Sequence, residues 1–263
     1  KEAMMWILFA SVVVALLVSV SASVEDLNYA RVRLLDHNST TGHFLFRGNQ
    51  PQRRGSDGHE QFAWSVLYEY LYSRAREQSL ILDASFELWV FSLLLPSNGE
   101  GESAALELEQ DFFSENPEVG KLHEWPLKGD EKRPYSLPEA ERNRLASSLP
   151  EWQVDHLNKK VTSLHELLHK VNPAGVSRVL YFHCGHGQDR TGELAGAYRL
   201  KYTTDSFADV WRENKEMGMD VPENINALLW YCLYLEQSEG MPRGCYDVSK
   251  PPAQAPETAE VFS

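Results

Sequence analysis

Short apolar runs alternate along this chain with longer segments of helical periodicity. "HFLFRGNQP" (43–51) reads as a strand that stops at a Gly-Asn turn and a proline. In "QFAWSVLYEYLYSRAREQ" (61–78), Phe62, Val66, Tyr70 and Leu71 fall near helical spacing while charge gathers toward the end, which predicts a helix. "SLILD" (79–83) is a candidate strand, and "FELWVFSLLLP" (86–96) fits strand or helix equally. "SNGEGES" (97–103) reads as a loop, and "ALELEQDFFSENP" (105–117) as a helix that ends before Pro117. "KLHEWPL" (121–127) alternates like a strand and enters the polar loop "KGDEKRPYSLPE" (128–139). Val154, Leu157, Val161, Leu164, Leu168 and Val171 then mark one face of an amphipathic helix. "SRVLYF" (177–182) is a short apolar strand, followed by three helical segments at 191–202, 206–217 and 222–237. This order predicts an α/β protein: a single domain with a central, mostly parallel sheet flanked by helices.

The two ends read differently. "WILFASVVVALLVSVSAS" is apolar with no polar face and ends in small residues, with Val20 and Ala22 suited to flank a cut after Ala22. Residues 1–22 are therefore expected to be a signal peptide, or a signal anchor if the segment stays uncleaved. Residues 23–248 form the expected domain, and the Pro- and Ala-rich 249–263 an expected disordered tail. The sequon "NST" at Asn38 agrees with a secretory, extracellular or luminal setting. Contact with a membrane is expected only through an uncleaved N-terminal segment.

Composition narrows the partners. The 263 residues are 43% hydrophobic and 24% charged, ordinary for a globular protein, but the formal charge is −13. That balance excludes a general nucleic-acid surface, and any anionic substrate needs a locally basic pocket. Three cysteines, Cys184, Cys232 and Cys245, leave at least one thiol unpaired. Cys232 can pair with Cys245, or, lying in the apolar run "ALLWYCLYL", stay a buried thiol.

The strand at 177–182 runs directly into "HCGHGQDRTG" (183–192). A loop containing Gly185 and Gly187 at the start of a helix can curl its N–H groups toward one centre beside the helix's positive end, which suits a phosphate. Arg190 can grip two phosphate oxygens with a planar fork that lysine lacks. The same groups favour thiolate over thiol at Cys184, making it a candidate nucleophile toward phosphorus. Thr191 can donate to that sulfur and ease its departure. A His183/Cys184/His186 zinc site is disfavoured because three ligands within four residues lack a fourth at usual spacing.

The stretch resembles the His-Cys-x-x-Gly-x-x-Arg-Ser/Thr-Gly loop of cysteine-dependent protein tyrosine phosphatases, nearest to their dual-specificity branch. "FRGNQP" resembles the Arg-x-x-Gln-Pro entry segment of atypical dual-specificity enzymes. The resemblance implies a phosphatase-like fold, no cofactor, and hydrolysis of phosphomonoesters through a phosphocysteine. It implies Cys184 and Arg190 as catalytic, Gly185, His186, Gly187, Gln188, Asp189 and Thr191 around the phosphate, and His183 as an orienting group. Lys128 and His186 add positive charge at the mouth.

The family also uses a loop aspartate as general acid. "WPLKGDEKRP" resembles that loop with Asp130 as the acid, although Leu127, Lys128 and Gly129 separate it from the Trp-Pro pair; Glu131 and Asp155 are rivals. Asp189 makes the loop similar to that of myotubularin-type phosphoinositide phosphatases. It can orient Arg190 or meet inositol hydroxyls, or bond the local backbone. Expected substrates are phosphorylated proteins, phosphotyrosine first, and then phosphoinositides or inositol phosphates. A phosphate-binding pseudophosphatase and a rhodanese-like sulfurtransferase are competing readings. Residues 84–120 match no part of the family pattern, and Trp211 and Trp230 read as core.

Overall fold

The computed structural model describes residues 26–250; the apolar N-terminal run and most of the Pro-rich tail lie outside them. Five strands, β1 (Arg33–Asn38), β2 (His43–Asn49), β5 (Phe86–Ser92), β6 (Gly120–Glu124) and β7 (Ser177–Cys184), form one sheet in the order β1-β2-β7-β5-β6. A small hairpin, β3 (Gln52–Arg54) and β4 (Glu60–Phe62), stands apart from it. The pairs β2/β7, β7/β5 and β5/β6 are parallel, and only β1 runs against its neighbour. β7 is central and buried along its whole length, which is why its sequence is apolar on both parities.

Period-two alternation sends β7 side chains into two separate cores. Leu180, Phe182 and Cys184 pack with buried residues of α5 (Leu157–His169), α6 (Asp189–Tyr202) and α8 (Pro222–Ser238). Val179 and Tyr181 pack on the opposite face with α1 (Trp64–Glu77) and with Phe113 of α2 (Glu100–Glu115). The result is a helix–sheet–helix sandwich. The register sets Cys184 beside Asn49 and His183 beside Ser92, so three parallel strands end together. Carboxyl ends of such strands are where α/β folds bind ligands.

Several local expectations change. Residues 79–83 form no strand: Ser79 adopts φ 59, Ser79 N donates to Arg76 O and Leu80 N to Ala75 O, so the segment closes α1 instead, with Ile81 88% exposed. Residues 86–92 are strand, and α2 starts at Glu100, inside the expected loop. The helix expected across 151–171 is shorter. It starts at Leu157 after His156 at φ 47, leaving Val154 and Val171 exposed outside it while Leu157, Val161, Leu164 and Leu168 are buried as the periodicity predicts. Two helices not foreseen, α3 (Glu139–Ser147) and α4 (Leu149–Trp152), pack against α8, and α7 (Phe207–Glu216) lies against α6. Trp230 is buried and Trp211 partly so. Cys232 and Cys245 form a disulfide, which leaves Cys184 as the free thiol. No helix among the described residues is long and apolar enough to cross a membrane.

Candidate active site

Cys184 ends β7, 3% exposed, at the floor of a cavity of about 550 Å³. The loop after it turns at Gly187, whose φ is +68; a Cβ there would stand 2.6 Å from Gly48 O and 2.7 Å from Asn49 N. Glycine is thus required for the loop to lie against β2. Gly185 is different, since a Cβ there would meet nothing within 4 Å. Backbone N–H groups from Gly185 through Gln188 have no hydrogen-bond partner among the described residues. Unspent donors at the N-terminus of α6 form a ready site for an anion.

Arg47 holds the loop from behind. It is 1% exposed, and its guanidinium donates to Gly187 O at 3.0 Å and Asn214 Oδ1 at 3.2 Å, while Asn214 Nδ2 donates to Gly192 O at 3.0 Å. Burial lowers Arg47 to about 10, so it remains a cation beneath the site. Gln50 ties the same region to α2, its Nε2 donating to Ala105 O at 3.1 Å.

Around the sulfur, Thr191 Oγ1 accepts from Cys184 N at 2.9 Å and lies 3.3 Å from both Cys184 Sγ and Gly48 O. Its single proton can serve either of the latter. Arg190 presents Nη1 and Nη2 to Glu102, each 2.7 Å from a carboxylate oxygen, and Nη1 also donates to Leu93 O at 3.2 Å. Burial opposes ionisation of Glu102, yet the Arg190 fork outweighs it and holds the carboxyl below its ordinary value.

Three further segments wall the cavity. Leu95, Ser97 and Asn98 come from the β5–α2 connection, Leu127, Lys128 and Glu131 from the loop after β6, and Val221, Glu223 and Asn224 from the start of α8. His186, Asp189 and Arg190 complete it. Lys128 Nζ lies 3.6 Å from Glu131 Oε1 at the exposed mouth.

The remaining sequence candidates lie off this wall or are tied to backbone. Asp189 Oδ1 accepts from Asp220 N at 2.8 Å and Val221 N at 2.9 Å, fixing the approach to α8. Gln188 packs toward Gly218, where a Cβ would stand 2.7 Å from its Nε2. Asp130 is absent from the wall: its N donates to Glu223 O at 2.8 Å, and its Oδ1 accepts from Lys132 N at 3.0 Å. Burial raises the Asp130 carboxyl above the ordinary aspartate value, with the Asp155 and Glu131 charges adding to it. Asp155 accepts from Lys128 N and Gly129 N and so clamps the loop. His183 is fully buried behind Cys184, while His186 lines the cavity.

Sequence reading named Arg47 only as part of the "FRGNQP" segment, without a role at the loop, and passed over Glu102, which stands in a glutamate-rich stretch of α2.

No family model matches the chain, and no curated protein sequence does. Among solved structures it is similar to Tk-PTP in a glycine-to-alanine mutant form, at 12% identity and a TM-score of 0.40, over 81% of this chain and 97% of that one. It is also similar to kinase associated phosphatase with serine in place of its catalytic-site cysteine, at 12% identity and a TM-score of 0.43, over 81% of this chain and 96% of the other.

Proposed function

We propose that this protein hydrolyses phosphomonoesters through a phosphocysteine, acting on phosphotyrosine or other phosphorylated protein side chains. The observation that carries the reading is the floor of the cavity. There a free cysteine, a threonine hydroxyl 3.3 Å from its sulfur and a pre-oriented arginine surround a loop whose N–H groups have no partner among the described residues. The Cys184 thiolate attacks phosphorus, the S–P bond forms, and the bond to the leaving oxygen breaks. Glu102 occupies the Nη1–Nη2 edge of Arg190, which leaves the Nε–Nη2 edge to follow the phosphoryl oxygens. Asp130 gives its proton to the leaving oxygen and then takes one from water, which attacks phosphorus and releases phosphate. This asks the Asp130 side chain to turn from Lys132 N into the cavity, whose wall its neighbour Glu131 already forms. Thr191 donates to the departing sulfur.

Protein substrates suit the rim better than polyphosphorylated lipids. Glu131 and Glu223 lie at the rim, and Asp189, the group that suggested inositol recognition, is engaged with backbone N–H groups. A binding-only role would not need the thiol and threonine pair. A secretory location is proposed as well, supported by the Cys232–Cys245 disulfide and the Asn38 sequon at the end of β1. The deciding experiment assays purified protein on phosphotyrosine peptides, phosphoinositides and inositol phosphates in chelator. Preferred turnover of the peptides is expected, with loss in Cys184→Ser; preference for the lipids would overturn the substrate reading.

A further inference from the structure

A carboxyl and an imidazole, both fully buried, stand together behind the nucleophile loop. Glu109 comes from the middle of α2, His183 from β7 one residue before Cys184, and Glu109 Oε1 lies 3.3 Å from His183 Nε2. Ser92, the register partner of His183 on β5, faces the same carboxyl. Neither carboxyl oxygen and neither ring nitrogen makes a well-aligned hydrogen bond to any described residue, the 3.3 Å contact included. Buried polar groups rarely go unpaired, and at this separation a small turn of either side chain lets the carboxyl and the ring satisfy each other.

Two arrangements are available. An ion pair puts two charges in a site without water, which desolvation penalises heavily. The neutral arrangement keeps the proton on the carboxyl and lets Nε2 accept it. Burial favours the second on both sides, raising Glu109 to about 8 and lowering His183 to about 3. With Nε2 accepting, the ring proton sits on Nδ1, free to donate toward the Cys184 backbone, which favours a proton on this ring.

We propose that Glu109 is a positioning residue of the site: its protonated carboxyl fixes His183 in the Nδ1–H form, and the ring in turn holds the backbone of Cys184. The proposal rests on the phosphatase reading above. Three further groups bear on the pair. Glu124 of β6 opposes ionisation of Glu109, Tyr181 lies beside it on β7, and Arg190 of α6, held by Glu102, opposes protonation of His183. When Glu109 ionises, Nε2 loses its donor and a negative charge appears behind the thiolate and the bound phosphoryl group. The loop is thereby disabled from the side away from substrate.

The test uses iodoacetamide alkylation of Cys184 between pH 5 and 10, which needs no general acid, in wild type and Glu109→Gln. Glutamine keeps a donor for Nε2 but cannot ionise. Expected is a wild-type profile with an inflection near pH 8 that is absent in Glu109→Gln. Nitrogen NMR of the wild-type histidines checks the tautomer without any variant: His183 should be Nδ1-protonated at pH 7 and shift near pH 8. An unchanged inflection in Glu109→Gln, or an Nε2–H tautomer at pH 7, would overturn the proposal while leaving the phosphatase reading intact. If Cys184 resists alkylation throughout while peptide turnover is absent, both fall together.

Discussion

Arg190 and Glu102 face each other as two forks, with both terminal guanidinium nitrogens 2.7 Å from the carboxylate oxygens. The contact joins the first turn of α6 to the first turn of α2, 88 residues earlier in the chain. It leaves one edge of the guanidinium for a ligand and prevents the side chain from swinging away. Glu102→Ala should lower kcat/KM by about tenfold or more, as expected for loss of a charge-assisted pair. Arg190→Lys should cost more, because it keeps the charge but loses the fork. Steady-state kinetics on a phosphotyrosine peptide checks both, and an Arg190→Lys enzyme within about twofold of wild type would remove the arginine from the mechanism.

The general acid is tested by leaving group. Asp130→Asn should slow hydrolysis of an alkyl phosphate by about 100-fold and of an activated aryl phosphate much less. Wild-type kcat should fall on the alkaline side as Asp130 loses its proton, and that limb should flatten in the variant. Glu131→Gln should stay within about threefold on both substrates, since Lys128 holds that carboxylate at the mouth. The reverse pattern would move the proton to Glu131.

Burial of Glu109 and His183 sets a pH dependence of stability. Glu109 keeps its proton up to about 8 in the folded chain, against an ordinary 4.5, so the folded state binds more protons between those values and stability falls as pH rises. His183 runs the other way: its folded value near 3 lies below the ordinary 6.5, and stability falls as pH drops through that range. Glu109→Gln should therefore raise Tm more at pH 8 than at pH 5, read by calorimetry at both pH values. An equal change at the two would mean that Glu109 is ionised in the folded protein.

The two loop glycines should respond differently to a methyl group. Gly187→Ala places a Cβ 2.6 Å from Gly48 O at a positive φ and should lower Tm by about 3–8 °C with loss of turnover. Gly185→Ala meets open space and should leave Tm within about 2 °C of wild type. Thermal melts of the two variants make the comparison.

What was legible in the sequence was local. The strand, turn and helix around Cys184 are contiguous, and their apolar run, glycines and arginine follow one another within sixteen residues, 177–192. The supports were not legible, because they arrive from distant elements. Glu102 and Glu109 sit among other glutamates of α2, and only their tertiary placement separates them from solvated charge. Asp130 and Glu131 are adjacent in sequence, yet the one residue at the wall is decided by how the loop is pinned to Asp155 and Glu223. At 79–83 the apolar run misled because it closes a helix and has no strand to pair with. Val154 and Val171 extended a true helical stripe past its ends, since periodicity carries no stop signal of its own.

The central claim is that Cys184 becomes phosphorylated during turnover, and rapid acid quench with a radiolabelled phosphotyrosine peptide, followed by peptide mapping, measures it directly. Label should appear within one turnover on the peptide containing Cys184, in an acid-stable, thiol-linked form, and should be absent in Cys184→Ser. Label on any other residue, or steady turnover by Cys184→Ser, would contradict it.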